Sequence, residues 1–291
     1  MPKGFLTAGA VLLAVAGCAP PSEEGAAVLR FSAIPDDNTT ELRRKYDPVA
    51  AYLSQQLGVP VQYVPAADYG ASVEMFKNGD VQLAWFGGLT GVQARQAVPG
   101  AHAIAQGVED PQYYSYFIAN PASGLEPSDD FPEEIADARF TFGSTKSTSG
   151  RLMPEYFIRV HSGKSPADFF RHEYGFSGSH DQTIEQVAGG AFDAGAVSYK
   201  TFDAKIAEGK VDPEQVRVIW KTPAYADYNF TAHPVLETTF GAGFTERLRK
   251  TLLDMKDPEL LAGFRRAAFI PAEDSEYDDI LDVARQLDMA R

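Results

Sequence analysis

Residues 143–151 read GSTKSTSGR and lie between two segments with different periodicities. Residues 139–142 alternate polar and apolar side chains and predict a short strand, whereas the apolar residues of 152–158 fit a helix. A hydroxyl-rich turn between strand and helix gathers side-chain O–H and free backbone N–H groups at the positive end of the helix dipole. The stretch therefore predicts an oxyanion-binding turn.

The first turn of this helix lacks the Glu or Gln that often closes a helix N-terminus. Whichever of residues 147–149 is the cap, the third helical position is not acidic. Arg151 is unfavourable there unless it turns away or meets an anion. The alternative interpretation is an ordinary Ser/Thr cap with solvated Lys146 and Arg151 side chains. The stretch by itself leaves the two interpretations open.

The chain has 291 residues, enough for one large or two medium domains. Its formal charge of −14 argues against nucleic acid and anionic membrane surfaces as partners. A small anion remains possible as a ligand, because a buried site is governed by its local donors.

The N-terminus predicts a secretory signal over residues 1–17, with Lys3 followed by an apolar run too short to span a bilayer. The segment LAVAGC at 13–18 resembles the lipobox of bacterial lipoproteins. That resemblance implies diacylation of Cys18 and an anchor outside the cytoplasmic membrane, with residues 18–27 as a tether. The alternative is a soluble exported protein with a free thiol. Cys18 is the only cysteine, so no disulfide or thiolate metal site is expected.

Strands and helices are predicted to alternate along the chain, which indicates an α/β fold with parallel strand neighbours. The predicted strands are 28–34, 60–64, 81–86, 101–105, 140–143 and 194–198. The predicted helices are 39–58, 68–77, 89–97, 152–161, 167–172 and 181–188, followed by three amphipathic helices, 245–255, 258–266 and 277–287, that pack on the first lobe. Thr39 or Thr40 is expected to cap the first helix, which Pro48 would kink or divide.

An internal echo relates residues 73–87 to residues 184–199. Each segment reads as a helix, a turn with Gly and Asp, a buried strand and a strand end with an aromatic residue. Ligands of open α/β sheets bind beyond the carboxyl ends of strands. The residues expected at a shared cleft are Trp85, Phe86, Gly87, Ser198 and Tyr199.

Two extended, aromatic-rich stretches are predicted to cross between two lobes. The crossings are 113–118 and 224–226, lobe 1 is 28–112 with 227–291, and lobe 2 is 119–223.

With these elements the sequence resembles the substrate-binding lipoproteins of phosphonate-type ABC transporters, which have a two-lobed type II periplasmic-binding-protein fold. Residues 147–150, STSG, coincide with the family's oxyanion loop, and the similarity covers nearly the whole mature chain. AWFGGLTGVQAR at 84–95 and GFSGSHD at 175–181 are most similar to a branch named for selenate binding.

The resemblance implies that Ser147, Thr148, Ser149 and His180 hold the anion. Aromatic residues of the first lobe and an acidic residue near the second crossing would complete the site. Phe86 stands where phosphonate binders have a tyrosine, which leaves the ligand's substituent open.

Further candidate ligand-binding residues have weaker support from the sequence around them. Tyr199 lies near the position of a family acidic residue. Asp227 and Tyr228 follow the second crossing, where aromatics usually pack and Asp often forms turns. Asp36 and Asp37 are expected to serve the cap of the first helix, with cleft contact as the alternative.

Ser179 and Gln182 are spaced for a capping box that makes His180 the first helical residue. The helix dipole disfavours an imidazolium there, so we expect a neutral ring that donates one N–H. A partly exposed histidine at a helix start is the alternative.

The leading hypothesis is an extracytoplasmic receptor of an ABC importer that binds a small oxyanion and delivers it to a membrane permease. It would be monomeric and would have no cofactor, metal or catalytic residue. One alternative is an exported Ser/His hydrolase, but the chain has no Gly-x-Ser-x-Gly motif. A metal-ion receptor is the other, but the five histidines show no close ligand spacing. Phosphite, phosphonates, phosphate, sulfate, selenate and selenite stay unranked.

Overall fold

A computed structural model describes residues 1, 4 and 26–290 of the protein. Apart from residues 1 and 4, the predicted signal peptide lies outside the described residues, as do Cys18 and most of the predicted tether. Within the described part of the chain, no helix is long and apolar enough to cross a membrane.

The α/β fold class is confirmed, with strands and helices alternating through most of the chain. The strands are β1 (Leu29–Ala33), β2 (Val61–Tyr63), β3 (Leu83–Phe86), β4 (His102–Gly107), β5 (Ser115–Ala119), β6 (Phe140–Phe142), β7 (Gly175–Phe176), β8 (Ala194–Ser198), β9 (Arg217–Lys221), β10 (Asn229–Ala232) and β11 (Phe269–Pro271). The α-helices are α1 (Thr39–Leu57), α2 (Tyr69–Lys77), α3 (Gly88–Ala97), α4 (Met153–Ser162), α5 (Pro166–Phe169), α6 (His180–Ala188), α7 (Tyr199–Ala207), α8 (Val235–Phe240), α9 (Phe244–Leu253), α10 (Pro258–Phe264) and α11 (Asp278–Gln286).

Two separate sheets define the two lobes. The first has the strand order β11-β4-β10-β3-β1-β2, and the second has the order β7-β6-β8-β5-β9. The expectation of parallel neighbours holds only in part. β1 runs parallel to β2 and β3, and β6 runs parallel to β7 and β8, but β5, β10 and β11 pair antiparallel with their neighbours. The antiparallel strands β5 and β10 are those through which the chain enters the second lobe and returns to the first.

The internal echo has the same backbone geometry in both lobes. Gly79 after α2 and Gly190 after α6 both adopt left-handed φ angles, of 76° and 74°. Such angles favour glycine because it lacks a Cβ. Each turn leads directly into a buried central strand, β3 or β8. The two lobes therefore repeat one supersecondary unit.

The cap of the first helix lies one residue before the earlier of its two expected positions. Asn38, rather than Thr39 or Thr40, is the cap, and its side chain accepts from the Glu41 N–H at 3.1 Å. Pro48 lies within one continuous helix and does not divide it. Its position on the exposed face allows water to satisfy the carbonyl that the missing N–H leaves free.

The crossings lie side by side between the lobes. Tyr113 and Tyr225 exchange two backbone hydrogen bonds, at 2.9 Å and 2.8 Å. Residues 115–118, which the sequence assigned to the first crossing, lie in β5 and belong to the second sheet. As expected, the three C-terminal helices pack on the first lobe: α9 against β4 and β11, α10 against α1, and α11 against α3.

Candidate functional site

The hydroxyl-rich turn forms the centre of the site. After β6 the chain reaches Ser147, which caps a π-helical turn, Thr148–Leu152, that continues into α4. The Ser147 Oγ accepts from the Gly150 N–H at 2.9 Å, so its own proton is available to a further acceptor. A Cβ at Gly150 would lie 3.0 Å from the Ser147 Oγ and 3.2 Å from His180 Cε1, which explains the glycine.

The turn contacts the first lobe at the start of α3. The N-cap residue of that helix is Gly87, which has no side chain to cap it. Asp227 and Thr148 supply the caps instead: Asp227 Oδ1 accepts from the Gly88 N–H at 2.8 Å, and Thr148 Oγ1 accepts from the Leu89 N–H at 3.0 Å. Thr148 thus bridges the lobes.

Asp227 is a buried carboxyl at this junction. Burial raises its pKa to about 7, against the lowering effect of hydrogen bonds from Gly88 and Thr148. Its Oδ2 atom is buried and has no hydrogen-bond partner among the described residues. This oxygen can therefore accept a hydrogen bond from a ligand, or donate one when protonated.

His180 is the first residue of α6 and is almost completely buried. Burial lowers its pKa to about 4, so the ring is neutral near pH 7, as expected. Its Nδ1 accepts from the Ser198 N–H at 3.3 Å, which places the proton on Nε2, 3.4 Å from the Ser149 Oγ. The capping box is wrong: Ser179 makes no capping hydrogen bond, because its hydroxyl donates to the Asp181 carboxylate.

Five of the predicted site residues come together here. Four were named by the resemblance, and the fifth follows the second crossing. They are Ser147, Thr148, Ser149, His180 and Asp227, and each is only 1–2% exposed. These side chains are therefore enclosed where the two lobes meet, at the position expected for the interlobe cleft.

Arg151 is not aimed at this cleft. It forms an ion pair with Glu155 of its own helix, and its guanidinium lies 4.4 Å from the centre of the Phe142 ring. The Arg151 side chain therefore points away from the anion turn, which reduces its unfavourable interaction with the helix dipole.

The aromatic residues at the end of β3 pack within the first lobe. Trp85 lies 4.7 Å from Phe230 and stacks on Tyr228 at 5.5 Å between ring centres. Phe86 meets the edge of Phe76 from α2 at 5.6 Å. Their participation in ligand binding stays a prediction. A Cβ at Gly87 would lie only 3.1 Å from the Thr148 Oγ1, so glycine allows the close contact between the lobes there.

The end of β8 contacts the first crossing. Ser198 caps α7, and its hydroxyl is hydrogen-bonded to the Tyr113 hydroxyl. Tyr199 stacks on Tyr114 with 3.8 Å between ring centres. Ser198 also orients His180 through its backbone N–H, whereas the Tyr199 ring packs against the rings of Tyr113, Tyr114 and Tyr116.

Tyr69 is a further candidate site residue, which the sequence interpretation missed. Its hydroxyl is buried beside Ser147 and has no hydrogen bond of normal geometry, and the charges of Asp36 and Asp227 act on it. The internal echo could have identified it. Tyr69 is the first residue of α2, as His180 is the first residue of the equivalent helix α6.

Asp36 and Asp37 do not cap α1, because Asn38 does. Asp37 pairs with Lys45 at 2.9 Å and with Lys205 of the other lobe at 3.1 Å. Burial alone would raise the pKa of Asp37, but Lys45 and the other nearby cations hold it well below its usual range. Asp36 is buried, and its Oδ1 has no partner among the described residues.

Among the described residues, no group of three or more His, Cys, Asp and Glu side chains is placed to hold a metal ion. The hydroxyls and the neutral imidazole N–H of the site are donors that suit a small polar anion.

Residues 31–277 match the family model described as "ABC transporter, phosphonate, periplasmic substrate-binding protein". A Prochlorococcus marinus (strain MIT 9301) protein named "Probable ABC transporter phosphite binding protein PhnD1" is 37% identical over 296 residues, covering 99% of each chain. The chain belongs to this family. It is the extracytoplasmic substrate-binding component of an ABC transporter, not an enzyme, and its partner is a membrane permease.

A solved structure of PhnD1 from the same organism, in complex with methylphosphonate, has a TM-score of 0.85 and 38% identity. It covers 90% of this chain and 98% of its own. The "Phosphate-import protein PhnD" of Mycolicibacterium smegmatis is 30% identical and covers 72% of this chain and 67% of its own. The two-lobed fold is thereby confirmed, and the hydrolase alternative has no support.

Proposed function

We propose that this protein captures phosphite or a small phosphonate in the cleft between Ser147, His180 and Asp227. The observation that carries the proposal is the convergence of hydrogen-bonding groups, two of them without a partner, at one buried place. The Ser147 hydroxyl and the His180 Nε2–H are donors, whereas Asp227 Oδ2 and the Tyr69 hydroxyl are buried without partners. Unsatisfied buried polar atoms each cost about 1–3 kcal/mol, so a ligand that pairs with them is favoured.

Asp227 supports a ligand that can share a proton. A carboxyl with a pKa of about 7 accepts from a P–OH group or donates to a P–O⁻ oxygen. Phosphite, phosphonates and phosphate exchange a proton near neutral pH, whereas sulfate and selenate remain fully ionised. We infer that the phosphorus oxyanions bind more tightly than selenate or sulfate. The phosphite and methylphosphonate named for the relatives agree with this inference.

The lobe bounds and lining residues also belong to this proposal. With β5 counted in the second sheet, the proposed lobes are 28–112 with 227–291 and 115–223, joined near 113–114 and 224–226. Besides the residues that converge on the cleft, its lining would include Trp85, Phe86, Gly87, Ser198, Tyr199 and Tyr228.

Calorimetric titration of the mature protein with phosphite, methylphosphonate, phosphate, sulfate and selenate tests the ligand class. Ser147→Ala, Thr148→Ala and Ser149→Ala should each weaken phosphite binding by roughly 10- to 150-fold, the value of one hydrogen bond to a charged group. His180→Ala should cost less, because water can replace a neutral N–H donor. If the three turn variants bind phosphite like the parent, the anion is held elsewhere. If selenate outcompetes phosphite, the proton-sharing argument is wrong.

We propose further that the mature protein is a monomer tethered through a diacylated Cys18. The lipobox-like segment supports the anchor. Cys18→Ser should release the protein from membranes without changing its affinity for phosphite. Cell fractionation and titration of the soluble variant measure the two effects separately, and membrane retention of the variant would contradict the anchor.

A further inference from the structure

A buried chain of hydrogen bonds runs from the second crossing to the anion turn. The Ser115 Oγ lies 2.7 Å from the Ser149 carbonyl oxygen and 2.5 Å from the Tyr225 hydroxyl. Ser115 is completely buried, and Tyr225 is nearly so. These contacts link the second crossing to the peptide group between Ser149 and Gly150, whose N–H donates to the Ser147 Oγ.

The direction of every bond follows from counting protons. The Ser149 carbonyl can only accept, so the single Ser115 hydroxyl proton points to it. The Tyr225 hydroxyl must then donate to the Ser115 oxygen. The Ser149 carbonyl belongs to the same peptide group as the Gly150 N–H, and that N–H donates to the Ser147 Oγ at 2.9 Å. The Ser147 Oγ accepts this bond, and its own proton remains available to donate to a ligand.

We propose that Tyr225 and Ser115 are positioning residues that fix and polarise the anion turn through this one-way chain. The proposal rests on the proposed function, because the chain ends at the hydroxyl assigned to the anion. Bonds in such a chain strengthen one another, so donation by Tyr225 makes Ser147 a stronger donor. Neither Tyr225 nor Ser115 need touch the anion.

The backbone around the chain is fixed as well. The Ser115 N–H donates to the Thr222 Oγ1 at 2.9 Å, and the Thr222 N–H donates to the Ser115 carbonyl at 3.0 Å. Tyr113 and Tyr225 are paired through their backbones. These hydrogen bonds hold the anion turn in a fixed position relative to both crossings. The crossings are the segments about which the lobes move.

Tyr225→Phe and Ser115→Ala test the proposal by titration with phosphite. Each variant removes one link, and each should weaken binding by roughly three- to tenfold. Each also removes a buried hydrogen bond, so we expect a lower melting temperature for both variants. Tyr52→Phe is the matched control. Its hydroxyl donates to the Thr251 carbonyl at 3.2 Å within the first lobe, so its loss should leave phosphite affinity unchanged.

A double-mutant cycle separates positioning from general loosening. Because the chain acts through the Ser147 hydroxyl, Tyr225→Phe should have little further effect in a Ser147→Ala background. Equal weakening in both backgrounds would overturn the proposal, as would parental affinity for both Tyr225→Phe and Ser115→Ala. Failure of the parent protein to bind phosphite or methylphosphonate would instead refute the proposed function.

Discussion

Burial drives Asp227 and His180 toward their uncharged forms. It raises the pKa of the Asp227 carboxyl to about 7 and lowers that of the His180 imidazole to about 4. The sequence argument for a neutral His180 relied on the helix dipole, whereas the larger cause is desolvation. Near pH 7 the site thus presents a neutral donor and a half-ionised carboxyl to the anion.

Asp227→Asn should change how stability depends on pH. A carboxyl whose pKa rises from its ordinary 3.8 to about 7 on folding binds more protons in the folded state. Its contribution to stability is complete below the unfolded pKa and is lost as pH rises toward 7. The ligand-free Asn variant should therefore gain roughly 2–3 kcal/mol relative to the parent between about pH 5 and pH 8. Denaturant unfolding across that range measures this gain, and a constant difference would contradict it.

Tyr69→Phe should separate binding from stability. The hydroxyl is buried without a partner, so removing it should stabilise the ligand-free protein by about 1 kcal/mol. Phosphite affinity should nevertheless fall about tenfold, because the hydroxyl lies beside Ser147 in the cleft. Thermal unfolding and calorimetry report the two quantities. Tyr52→Phe should instead lose stability and keep its phosphite affinity, because its hydroxyl is hydrogen-bonded outside the site. A Tyr69→Phe variant with parental affinity would exclude the Tyr69 hydroxyl from the site.

At the level of elements, α7 and the residues after it hold the lobes together. Three ion pairs join this segment to the first lobe: Lys200–Glu109 at 2.8 Å, Lys205–Asp37 at 3.1 Å and Lys210–Glu41 at 3.5 Å. Exposed pairs contribute little, but both side chains of the middle pair are more than nine-tenths buried. This pair should therefore favour the closed arrangement most.

Lys205→Met should weaken phosphite binding about five- to tenfold, mainly through faster release, because it destabilises the closed form alone. Asp37 keeps Lys45 and Arg265, so no buried carboxylate is left unpaired. Stopped-flow measurements at two salt concentrations check the release rate. Lys250→Met is the control, because Lys250 pairs with Asp254 on the surface of the first lobe. Equal release rates for the two variants would contradict a closing role for Lys205.

The bounds of helices and turns were predictable where the local sequence allows only one interpretation. The end of α1 at Gly58 and the turns at Gly79 and Gly190 follow from glycine's freedom at positive φ. The cap of α1 was placed one residue late because Asn38, Thr39 and Thr40 are all good caps. The direction of β10 was not predictable, because it depends on how the chain returns from the other lobe.

The site was predictable where one short motif carries its chemistry. Ser147, Thr148 and Ser149 lie together because they are consecutive. Asp227 and Tyr69 come from distant parts of the sequence, and only the folded structure brings them close enough for the charge of Asp227 to act on the Tyr69 hydroxyl. The Ser115–Tyr225 hydrogen bond joins residues 110 positions apart, a separation that residue types alone do not reveal.

At the level of the whole molecule, the closed cleft implies motion. The site side chains are 1–2% exposed, so the lobes must separate to admit a ligand. Small-angle scattering should show that saturating phosphite reduces the radius of gyration of the mature protein, whereas sulfate has a much smaller effect. Without phosphite, the Lys205→Met variant should have a larger radius of gyration than the parent, because its lobes are more often apart. An unchanged radius with bound phosphite would mean that capture needs no lobe closure.

The position of β10 between β3 and β4 also constrains the order in which the chain can fold. When the chain leaves the cytoplasm N-terminus first, β3 and β4 emerge long before residues 229–232, and their shared sheet has a gap until that segment arrives. The second sheet uses only the continuous stretch from β5 to β9, so it can form earlier. The first lobe is thus the last to be completed, and its unpaired strand edges need protection from aggregation during secretion.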